Sequence, residues 1–159
     1  MRSVISPGIH LLLDFYGAKN LQDKQGINNV LHDAATACGA TVLQIILHFF
    51  GEEACCTPNL EYGVEGLLYD GSGKQAGITG VAILAESHIS IHTWPETGYA
   101  ALDIFVCGNC NAHKAVRVLQ DFFCPERMVI VEQMRGNESD KKYDTTMTVK
   151  QVDTTDTAG

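Results

Sequence analysis

The chain has 159 residues, 45% of them hydrophobic and 19% charged, which suits one globular domain with a real core and excludes disorder along its whole length. A formal net charge of -8 makes nucleic acid and anionic membrane poor partners. No apolar run reaches transmembrane length and the first residues lack a signal-peptide layout, so the expected home is the cytoplasm.

Residues 8–16 (GIHLLLDFY) predict a buried strand. Over 23–38, Ile27, Val30, Leu31, Ala34 and Cys38 recur at helical spacing and stop before Gly39, which predicts a helix. Residues 41–50 (TVLQIILHFF) are β-branched and aromatic, as a second strand requires. From 51 to 78 the chain turns polar and glycine-rich, so a long loop or inserted hairpin is expected. Strands follow at 79–85, 87–93 and 99–106. A second helix is predicted over 112–123, capped by Asn111, with Val116, Leu119 and either Phe122 or Phe123 inward. The last predicted strand is 127–134, and the polar tail over 137–159 is expected to be flexible. This order implies an α+β fold: a two-layer sandwich with an antiparallel or mixed sheet and helices on one face. Residues 1–136 form its single domain.

The six cysteines, lacking a secretory context, are expected as thiols. Cys107, Cys110 and His113 have a metal-like spacing but no second ligand pair, so no metal is expected. The segment 82–108, AILAESHISIHTWPETGYAALDIFVCG, is the one that asks for chemistry. Strand alternation puts Glu86, His88, Ser90 and His92 on one face and Ser87, Ile89, Ile91 and Thr93 on the other. A solvated polar face explains that pattern without function, and Ser87 taken alone is an ordinary hydroxyl. A Ser-His-Asp hydrolase has Asp103 available but lacks the G-x-S-x-G elbow.

As a block, ESHISIHTWPE followed by GYAALDIFVCG resembles the prokaryotic type of S-adenosylmethionine decarboxylase, a family that makes its own pyruvoyl cofactor from an internal serine. The resemblance runs from PGIHLLLDFYGA at 7–18 to VIVEQMRG at 129–136, interrupted at 51–78. It implies self-cleavage between Glu86 and Ser87 into chains 1–86 and 87–159, with Ser87 as the source of the pyruvoyl group. It further implies His92 as base in processing, Cys107 as proton donor in decarboxylation and Thr79 as a supporting hydroxyl. Phe50 is expected against the substrate adenine and Glu96 on its ribose. The ketone would take up the substrate amine as a Schiff base and act as electron sink, the role otherwise filled by PLP. The product would feed spermidine synthesis, and cleaved protomers would pair as a homodimer with sites near the interface.

Ser87 and His92 fall on opposite strand faces, and the freedom of a newly cut terminus is the expected remedy. The long 51–78 segment, Cys110 and the divergent end are departures from the family pattern. They leave open a pyruvoyl-dependent arginine or ornithine decarboxylase, and more remotely a non-catalytic regulatory relative.

Overall fold

A computed structural model describes residues 7–50, 77–136 and 147–153. The elements run β1 (Gly8–Tyr16), α1 (Lys24–Cys38), β2 (Val42–Phe50), β3 (Gly77–Leu84), β4 (Ser87–Trp94), β5 (Tyr99–Cys107), α2 (Ala112–Phe123), β6 (Arg127–Arg135) and β7 (Met147–Asp153). The strands form a sheet in the order β2-β3-β4-β5-β1-β6-β7, each neighbouring pair antiparallel. Both helices cover one face: α1 packs on β2 and β3, α2 on β5 and β1, and the helices pack on each other. The fold is thus an α+β two-layer sandwich.

Alternation along the strands decides what each face carries. In β4, Ile89, Ile91 and Thr93 are buried under the helices while His92 is exposed. In β5, Ala100, Leu102, Ile104 and Val106 point the same way as those buried residues. Thr93 is tolerated there because its hydroxyl donates to the Leu21 carbonyl (2.8 Å) and accepts from the Ile78 N–H (2.8 Å). The face away from the helices keeps apolar groups in the open, with Leu12 41% and Ile83 38% exposed.

The helices end where their sequences say they must. Asp23 accepts from the Gly26 N–H (2.8 Å) at the start of α1, and Gly39 closes it in the left-handed conformation (φ 89°). Ile27, Val30, Leu31, Ala34 and Cys38 are buried as the spacing predicts. Asn111 caps α2, and of the two candidate phenylalanines it is Phe123 that is fully buried, edge-on to Phe15.

Two boundaries differ from the sequence pattern. β3 begins at Gly77, within the stretch expected as loop, whereas the rest of that stretch, 51–76, lies outside the described residues. The tail carries β7, paired in register with β6 from Arg127↔Asp153 to Gln133↔Met147. Thr148 through Val152 are exposed on both faces, so this edge strand rests on ladder hydrogen bonds and leaves no burial pattern to read.

Candidate functional site

Ala85 and Glu86 form a two-residue turn between β3 and β4, because Leu84 and Ser87 are the last facing pair. Neither is the Gly or Asn that tight hairpin turns favour. The positive φ falls instead on Ser87, at 145°, a value that costs a side-chain-bearing residue roughly 1–3 kcal/mol. The turn is held from both sides. Thr41, between α1 and β2, accepts from the Ala85 N–H (2.9 Å). Its own N–H (2.8 Å) and hydroxyl (3.3 Å) donate to the Glu86 carboxylate. On the other side, the Cys107 N–H (3.3 Å) and thiol (3.2 Å) both donate to the Glu86 carbonyl oxygen. The register explains the reach: Ser87 faces Val106, so Cys107 lies one residue past the ladder, level with the turn. Two donors on a peptide carbonyl beside a strained serine draw charge toward the oxygen and expose the carbon to attack.

Thr79, His92 and Glu96 lie at the other end of these strands. Thr79 and His92 face each other across β3 and β4, with Oγ1 2.8 Å from Nδ1. Trp94 stacks on Tyr99, and the Tyr99 hydroxyl donates to Asp14 (2.5 Å). Burial first, and then Asp14, push the Tyr99 hydroxyl well above the usual phenol value. Glu96 is exposed in the turn that follows β4. Phe50 pairs its backbone with Gly77, while its side chain lies outside the described residues.

Glu86, Ser87 and Cys107 are therefore brought together, and so are Thr79 and His92, but the two groups are apart. His92 is five residues along the strand from Ser87, about 16 Å at the rise of a β-strand, and on the opposite face. Within one chain the His92 side chain does not reach Ser87. Asp103 does not complete a triad with Ser87 either: it accepts from Ser90 (3.1 Å) and lies 3.6 Å from His10. The Cys107–Cys110–His113 spacing is also pulled apart, since His113 bonds Glu132 (2.9 Å) and Cys110 turns to Cys38. Burial raises both of those last thiols.

A further group lies on the uncovered face at the Ser87 end of the strands. His10, His88 and Phe105 pack ring against ring, with Arg135 over Phe105. The alternation His10-Leu12-Asp14 within a strand was the available signal. Burial lowers the His10 pKa below 6.5, Asp103 partly restores it, and Arg135 and His88 lower it further. The unfolded chain therefore takes up a proton that folded His10 resists, and stability falls as pH drops through the region of 6.5. Urea unfolding at about pH 7.5 and about pH 5.5 should show this loss, and His10→Asn should reduce it. An identical pH dependence in the variant would remove His10 as the cause.

Comparison with known proteins bears on this geometry. A family model described as S-adenosylmethionine decarboxylase matches residues 9–136. An S-adenosylmethionine decarboxylase proenzyme of Methanococcus maripaludis is 39% identical over 132 residues, spanning 81% of this chain and 89% of that protein. One of the same description from Thermomicrobium roseum is 36% identical over 132 residues, with 82% and 95% covered. The crystal structure of the adenosylmethionine decarboxylase from Aquifex aeolicus superposes with a TM-score of 0.57 at 28% identity, covering 87% of this chain and 99% of that one.

Proposed function

The chain belongs to the S-adenosylmethionine decarboxylase family, and from that premise we propose that it is a proenzyme that cuts itself between Glu86 and Ser87 and then decarboxylates S-adenosylmethionine. The observation that carries this reading is the pair of Cys107 donors on the Glu86 carbonyl beside Ser87. Ser87 Oγ attacks that carbonyl carbon, the Glu86–Ser87 amide bond breaks, and an ester takes its place. Removal of the Ser87 α-proton, the task of His92, expels the newly formed main-chain α-carboxylate of Glu86, now the terminus of the first chain. The dehydroalanine so formed takes up water and releases ammonia, leaving a pyruvoyl group at residue 87. That group supplies a ketone for the substrate amine and a sink for the electrons released with CO₂. Cys107 Sγ–H then delivers a proton to the substrate α-carbon, and Glu96 and Phe50 hold ribose and adenine.

The separation of His92 from Ser87 makes a homodimer part of the mechanism. The uncovered face, apolar at Leu12, Ile46 and Ile83, suits a second copy. Turned end for end by a two-fold axis, that copy lays its Thr79–His92 end over the Glu86–Ser87 turn, where His92 is directed at the Ser87 α-carbon and not at its side chain, and each dimer has two such composite sites. Glu96, at the same end as His92, then reaches the same site. The free thiols Cys38, Cys107, Cys110 and Cys124 suit the reducing cytoplasm. There the product serves spermidine synthesis. Relatives of both kinds, in sequence and in structure, are named for S-adenosylmethionine and not for arginine or ornithine.

Labelled CO₂ release, measured side by side from S-adenosylmethionine, arginine, ornithine and lysine, tests the substrate. The highest kcat/KM is expected for S-adenosylmethionine, with Cys107→Ala lowering turnover about a hundredfold or more. A preference for a free amino acid, or wild-type turnover in Cys107→Ala, would refute the corresponding assignment.

A further inference from the structure

The geometry points to Thr41 as a positioning residue for cleavage, one that holds the scissile peptide in its reactive orientation through the Glu86 side chain. This inference rests on the self-cleavage reading above. Thr41 touches the turn three times: its carbonyl takes the Ala85 N–H, and its N–H and hydroxyl hold the Glu86 carboxylate. Glu86 thereby uses its side chain where the β2–β3 ladder, which ends at Val42↔Leu84, has no further strand partner.

The platform beneath Thr41 is rigid. Gly39 and Ala40 donate back to Thr36 and Ala35 at the end of α1, and the Asn111 N–H ties the start of α2 to the Cys38 carbonyl (2.9 Å). Glu86 is thus gripped at its carboxylate by Thr41 and at its carbonyl by Cys107. A two-residue turn without Gly or Asn would otherwise relax the positive φ of Ser87 by rotating the intervening peptide. Rotation would swing the carbonyl away from Cys107 and from Ser87 Oγ. The grip blocks that escape. After cleavage the same contacts retain Glu86, now a chain terminus, beside the site.

The rate at which fresh precursor converts to two chains tests this. Glu86→Ala is expected to slow conversion about tenfold, as loss of a charge-assisted hydrogen bond predicts, and Thr41→Val about threefold. Thr41→Ser, which keeps both donors, should convert at the wild-type rate. In the double variant, Thr41→Val should add nothing to the slowing already caused by Glu86→Ala. The same changes placed in uncleavable Ser87→Ala should leave the thermal midpoint near that of Ser87→Ala alone, which separates positioning from loss of fold. Wild-type conversion in Glu86→Ala, additive slowing in the double variant, or slowing that tracks a fallen midpoint would each overturn the inference. A wild-type chain that never cleaves would overturn the parent reading as well.

Discussion

Ser87→Ala should remain one chain of 159 residues, whereas the wild-type protein should resolve by intact mass into pieces spanning 1–86 and 87–159. The effect is all-or-none because the substitution removes the attacking oxygen and nothing else. Alanine keeps the Cβ, so the turn and the Cys107 donors on the Glu86 carbonyl have no reason to move. Uncatalysed hydrolysis of the amide is far too slow to compete. The 87–159 piece should resist Edman degradation, since a pyruvoyl group has no α-amine, and decarboxylase activity should vanish with cleavage. A fully active wild-type protein that stays in one piece would end the pyruvoyl mechanism.

His92→Ala and Ser87→Ala, each unable to complete processing alone, should restore it when produced together. In a mixed dimer the His92→Ala chain still carries Ser87 and receives His92 from its partner. With equal amounts and random pairing, about half of the His92→Ala chains sit in mixed dimers and should be cut. A tag on that chain identifies its fragments. The physical ground is the distance of about 16 Å along β4, several times hydrogen-bond reach. If His92 worked within its own chain, no combination of the two variants would cleave. An uncut tagged chain in a confirmed mixed dimer would therefore dismiss the shared site.

Much of this molecule was legible before folding. The 3.6-residue recurrence of Ile27, Val30, Leu31, Ala34 and Cys38 marks α1 because only one helix face meets the sheet. Alternation in ISIHT marks β4 because one sheet face is covered and the other is not. β7 escaped because an exposed edge strand has no buried face to create such a pattern, and the start of β3 was hidden among glycines. The block from Glu86 to Cys107 carried its family resemblance in residue types and order, which are linear properties.

Proximity is not linear. Thr41 and Glu86 are separated by 45 positions, and no periodicity announces that an N–H of one meets the carboxylate of the other. The same holds for Cys107 at the Glu86 carbonyl, 21 positions away, and for His10 beside Asp103 and His88. The sequence by itself determined the helices, the strands with a buried face and the chemical inventory, because these depend on local propensity and on which side chains avoid water. Tertiary structure alone decided that the inventory is divided between two ends of the sheet. Strand geometry converts a separation of five positions into a distance that no side chain spans.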